Sequence, residues 1–87
     1  MTDTVQCWLV ARDYFDEDLI TLVYATPDGQ RHVTQQLSSA LLAKKPPTAA
    51  KDVDVDRLEP VADSEERERY AAEAERMAAR HDPDERV

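Results

Sequence analysis

The chain reads as an α+β protein: a small antiparallel sheet of three to four strands with a long C-terminal helix packed on it, in the order β-β-β-α-β-α. Three observations predict this. β-Branched, aromatic and aliphatic residues concentrate in two runs near the N-terminus. A Thr26-Pro27-Asp28-Gly29 turn follows the second run. The last quarter of the sequence changes to helical spacing and closes on a proline. With 87 residues, the chain has room for one domain that buries roughly 60 to 65% of its unfolded surface. That domain is expected to span residues 1–81, with 82–87 as a frayed tail.

Thr4 to Arg12 (Thr-Val-Gln-Cys-Trp-Leu-Val-Ala-Arg) is the first strand. The acidic stretch Asp13 to Asp18 cannot continue a buried strand and reads as a connection. Leu19 to Ala25 then resumes the pattern as the second arm of a hairpin. In the turn that follows, Pro27 presets φ and Gly29, the only glycine, accepts positive φ. A third strand is expected over Gln30 to Gln35. Leu37 to Lys44 has helical spacing, and Pro46 and Pro47 stop it because proline cannot donate the helical hydrogen bond. Asp52-Val53-Asp54-Val55-Asp56 alternates with period two, which fits a fourth, edge strand whose carboxylates repel a foreign chain. The final helix starts at Asp63 as N-cap, with Glu66 in capping-box spacing and Glu65 beside it at the positive end of the dipole. Tyr70, Ala74, Met77, Ala78 and His81 form its apolar stripe, and Pro83 follows its end.

The formal charge is -8, from 19 Asp plus Glu against 11 Lys plus Arg. Only Lys44, Lys45 and Lys51 are lysines, and Ile20 is the only isoleucine. An Asp-rich, Lys-poor, Ala/Val/Thr-rich composition resembles that of the small acidic haloarchaeal proteins of unknown function. In molar salt the Debye length falls to ~3 Å, and the self-repulsion of such a surface is screened. The resemblance is one of composition and contains no motif. It implies a halophilic habitat and carries over no activity, cofactor or site residue.

No apolar run approaches the ~18 residues of a membrane span, and the N-terminus lacks the order of a signal peptide, so a soluble cytoplasmic protein is expected. Cys7 stands alone, which excludes a disulfide framework and a thiolate zinc cage within one chain. One glycine cannot build a phosphate-binding loop, and no nucleophile elbow or zinc-protease helix is present. Asp52, Asp54, Asp56 and Asp63 approach the spacing of a calcium loop, but Arg57 stands where that loop turns on glycine. Cys7, His32 and His81 have no ligand or dyad spacing. No catalytic, metal or cofactor residue is therefore assigned, and no enzyme is expected.

The remaining signal is a hairpin that is apolar on both faces. By simple alternation Val5, Cys7, Leu9 and Ala11 face one way, and Gln6, Trp8, Val10 and Arg12 the other. On the second strand Leu19, Val23 and Ala25 lie opposite Ile20, Leu22 and Tyr24. One long helix covers one face. The short segment Leu37 to Lys44, roughly 12 Å at ~1.5 Å per residue, is too short for the other. Either the sheet curls into a partial barrel or a partner completes the cover. The expected interaction face comprises Trp8, Val10, Arg12, Leu22, Tyr24 and Arg31. The function expected from it is a non-catalytic protein-interaction module, binding a protein partner or a second copy of itself. The alternative is a small RNA- or DNA-associated protein using Trp8, Tyr24, Arg12 and Arg31, which the negative charge disfavours.

Overall fold

In the computed structural model, which describes residues 3–14 and 18–87, the α+β architecture holds, with five strands where three to four were expected. The elements are β1 (Thr4–Tyr14), β2 (Leu19–Ala25), β3 (Arg31–Ser38), α1 (Ser39–Lys44), β4 (Ala50–Asp54), a 3-10 turn (Val55–Arg57), β5 (Glu59–Pro60) and α2 (Ser64–Arg80). They form one antiparallel sheet in the order β4-β1-β2-β3-β5. Asp13 and Tyr14, expected in a connection, extend β1; residues 15–17 of the expected connection lie outside the described residues. No helix among the described residues is long and apolar enough to cross a membrane.

The β2–β3 turn forms as its residues dictate. Gly29 takes φ 71° and donates its N–H to the Thr26 carbonyl at 2.8 Å. The Asp28 carboxylate accepts from the Thr26 hydroxyl at 2.5 Å and from the Gln30 amide at 3.0 Å. Those two bonds, the hydroxyl first, hold its pKa below the usual carboxylate value.

β4 takes the edge position beside β1, and its ladder ends where β1 begins, at Thr4 opposite Asp54. Asp56 therefore leaves the strand and enters the 3-10 turn. This turn sets the shape of the sheet. In a flat sheet β4 and β5 would stand four strand spacings apart, about 19 Å at ~4.8 Å each. The link from Asp54 to Glu59 takes five steps, three of them in a tight 3-10 turn, and so spans only about 13 Å. The sheet must curl until its edges approach each other. A hydrogen bond of 2.9 Å from Lys51 Nζ on β4 to Gln35 Oε1 on β3, across the two intervening strands, records that closure.

Curling turns one face inward. Cys7, Leu9, Ile20, Leu22, Tyr24 and Val53 bury together there, with Leu42 of α1 and Leu58 packed against them. Burial pushes the Cys7 thiol pKa up, as for a cysteine in the role of a small core hydrophobe. The outer face receives α2. Tyr70 packs with Val23, Ala25 and Val61, and Ala74 packs with Trp8, Ala49 and Ala50. Met77 is half-buried, whereas Ala78 of the expected stripe is exposed. Asp63 is the N-cap, its carboxylate accepting the Glu65 N–H at 3.1 Å. Asp63→Ala is expected to cost about 0.5 to 2 kcal/mol in urea unfolding. Asp52→Ala, on the exposed outer edge of β4, should change stability by less than about 0.5 kcal/mol.

The segment after α2 is hydrogen-bonded to the stretch that leads into β4. The Ala50 amide donates to Pro83 O at 2.9 Å, Ala49 to Glu85 O at 2.8 Å, and the Val87 amide to Pro47 O at 2.9 Å. Arg86 and Thr48 form a β-bridge, and the Val87 side chain packs into the core. The backbone groups of residues 47–50 need partners once the chain enters β4, and this segment supplies them.

Candidate functional site: a cationic cleft along the sheet seam

The register divides the residues expected to form one interaction face. Trp8 pairs with Ala25 and Leu9 with Tyr24, and directly paired residues share a face. Trp8 therefore lies with Ala25 and Val23 under α2, while Leu22 and Tyr24 lie on the inner face with Leu9. Trp8 is only 6% exposed within the chain itself, so the face that bears it is closed by α2. Val10 packs beside Trp8. A bulge between Leu9 and Ala11 then shifts the alternation and sets Arg12 opposite Leu22. Arg12 donates from Nη2 to the Val87 carbonyl at 3.4 Å. Arg31 lies apart from the others, exposed at the start of β3 and close enough to Asp28 to help lower its pKa.

The half of the expected face formed by Leu22 and Tyr24 opens into a cleft of about 420 Å³. Leu22, Tyr24 and Leu37 make its apolar floor. Leu41 of α1 stands at the mouth, 46% exposed. Gln35 of β3 lines one side, and Pro47, Thr48 and Lys51 line another. The Tyr24 hydroxyl donates to the Thr48 carbonyl at 3.0 Å, which fixes the ring, and burial raises its pKa.

Among the described residues, the charged side chains that line this cleft are all of one sign: Lys45, Lys51 and Arg86 line it, and no Asp or Glu does. In a chain of net charge -8, such a lining is a local inversion of the field. Lys51 Nζ lies 4.5 Å from the centroid of the Tyr24 ring, within cation–π range. Burial first, and then repulsion from Arg57, hold the Lys51 pKa below the ordinary lysine value. An anion placed beside this ammonium would relieve that penalty. Arg86 is oriented by donation from Nη1 to the Pro46 carbonyl at 2.7 Å.

Lys45, Lys51 and Arg86 were not among the residues of the expected interaction face. One signal pointed towards them: the lysines of an arginine-rich chain all fall within 44–51, around Pro46 and Pro47. Arg86 carried none, because its place in the cleft depends on the pairing of residues 83–87 with 47–50.

No curated protein and no solved structure matches the chain. A family model described as Family of unknown function (DUF7967) matches residues 1–87, and the chain belongs to that family.

Proposed function

We propose that this protein is a non-catalytic protein-interaction module that receives its partner in the seam cleft. The observation that carries the reading is the union of an apolar floor with a lining whose charged residues, among those described, are all cationic, in an acidic chain. Binding sites combine apolar area for affinity with a few polar groups for orientation, and the cleft has both at a volume within the usual range for such sites. The RNA or DNA alternative loses its stacking pair: Trp8 is in the core, and Tyr24 lies on the other face of the sheet.

The test is selection of binding peptides from a displayed random library, with counter-selection on Leu41→Glu and Lys51→Glu variants. The expected result is a set of peptides that bind the wild type, lose affinity for both variants and shift the amide resonances of cleft residues. Enriched peptides that bind all three proteins equally would overturn the reading.

The composition supports a halophilic, haloarchaeal setting as part of the same proposal. With a -8 charge on 87 residues, raising KCl from about 0.1 M to about 2 M is expected to raise the melting temperature as the Debye length contracts. Circular dichroism melts check it, with a neutral osmolyte as control for general exclusion effects. A melting temperature that does not move between the two concentrations counts against the halophilic setting.

A further inference from the structure

The curled sheet leaves one strand edge open beside the cationic cleft. The Thr26 amide donates to Arg31 O at 3.0 Å, so in β3 the backbone groups of residues 31, 33, 35 and 37 point towards β2. Those of 32, 34, 36 and 38 point away from it. β5 pairs with β3 only at Arg31 and His32. Among the described residues, the outward N–H and C=O groups of Thr34 and Gln36 have no strand partner, and both residues are exposed. The two sheet edges differ in how they treat a foreign strand. β4 carries Asp52 and Asp54, and residues 83–87 cover the approach to its start. From Val33 to Ser38, β3 has no charged residue. One edge is guarded and the other is not.

We infer that the partner enters as an extended acidic peptide, adding a strand to the β3 edge at Thr34 and Gln36 and setting its carboxylates against Lys45, Lys51 and Arg86. This rests on the interaction reading above and specifies its partner chemistry. Strand addition supplies main-chain hydrogen bonds of fixed register, and alternate side chains drop into a neighbouring pocket. Here that pocket has an apolar floor of Leu22 and Leu37, which suits a valine or leucine with an acidic residue two positions away on the same face of the strand. The Lys51 ammonium bonds to the neutral amide oxygen of Gln35 in the free protein. A carboxylate is the stronger acceptor, so the incoming peptide displaces Gln35 rather than competing with an existing ion pair.

The experiment uses the full chain and an end-blocked, fluorescein-labelled peptide, Asp-Asp-Val-Glu-Val-Asp-Asp, followed by fluorescence anisotropy. Comparison probes are the same peptide with Asn and Gln for Asp and Glu, a lysine version, an acidic version with alternate backbone nitrogens methylated in either phase, and oligo(dT). The acidic peptide is expected to bind best. One methylated phase should bind and the other fail, because only one phase turns its N–H groups towards β3. The amides of Thr34 and Gln36 should gain hydrogen-exchange protection. Lys51→Gln should weaken binding by about tenfold or more, as expected for loss of a charge-assisted hydrogen bond. Leu41→Glu, at an exposed position, should also weaken it and serves as the second variant if Lys51→Gln perturbs folding. Equal binding of the neutral peptide, of both methylated phases, or of oligo(dT) at the same amides would overturn the inference. If library peptides depend on the cleft yet carry no acidic residues, the interaction reading stands and the acidic-strand inference falls.

Discussion

Gly29→Ala is expected to be the most damaging small substitution in the protein. The residue has φ 71°, a conformation that costs an L-residue about 1 to 2 kcal/mol. The larger obstacle is spatial. A Cβ at this position would lie 2.2 Å from the Arg67 carbonyl oxygen and 2.7 Å from the Ala71 amide nitrogen, both in the backbone of α2. Neither can rotate away as a side chain does, so the turn and helix must separate, at about 1 to 3 kcal/mol or more for overpacking. The sum, about 2 to 5 kcal/mol, is a large part of the 5 to 15 kcal/mol typical of whole domains. Urea unfolding of the variant should show a much lower midpoint. Ala71→Gly should not rescue it, because the nearest clash is with the Arg67 carbonyl. A Gly29→Ala protein as stable as wild type would mean that α2 does not seat on this turn.

Trp8→Ala is expected to cost about 3 to 5 kcal/mol. Trp8 fills the space between Ala74 of α2 and the Ala49-Ala50 segment at the start of β4. The other buried members of this cluster are alanines, too short to collapse into the gap left by an indole, and Val10, Met77 and Val87, only partly buried, also pack against it. The damage should spread to both elements, since the same side chain holds the helix and the edge strand against β1. Its fluorescence provides a second check on the native protein. At 6% exposure within one chain, Trp8 should emit in the blue-shifted range of buried indoles, with no change on dilution. A red shift on dilution would restore Trp8 to an interface between molecules.

Much of the secondary structure is legible because it rests on interactions between near neighbours. Asp63 caps α2 through a bond to a residue two positions on, and the Thr26–Gly29 turn closes within four residues. Ser38 likewise caps α1 through the Leu41 amide. The short α1 begins two residues later than its leucine spacing suggests, because Leu37 and Ser38 stay paired with β2. β5 was not legible at all. Glu59-Pro60 has no strand propensity, and pairs with β3 only because the curl brings it there.

The interaction face shows the limit most clearly. Alternation along β1 correctly separates Trp8 from Leu9, but it does not say which of them joins Tyr24. A slip of one residue exchanges the faces of a whole strand, and both faces of this hairpin are apolar, so hydrophobic pattern alone cannot choose. The bulge beyond Leu9 then moves Arg12 to the face of Leu22. Grouping Trp8 with Leu22 and Tyr24 thus followed from period two without the register that the folded sheet selects.

By itself, the sequence determined the centres of β1 to β4 and of the two helices, the turn at Gly29, the cap at Asp63, the acidic edge at Asp52 and Asp54, and the net charge. These depend on backbone torsions, hydrogen bonds and charges within a few residues of one another. The tertiary structure alone decided the register of β1 on β2, the closure of β4 towards β3 and the lodging of residues 83–87 beside 47–50. Those choices set Lys45, Lys51 and Arg86 around one apolar floor. They are decided by the packing of residues tens of positions apart, where many registers satisfy the local preferences and only one also closes the core and pairs the buried backbone.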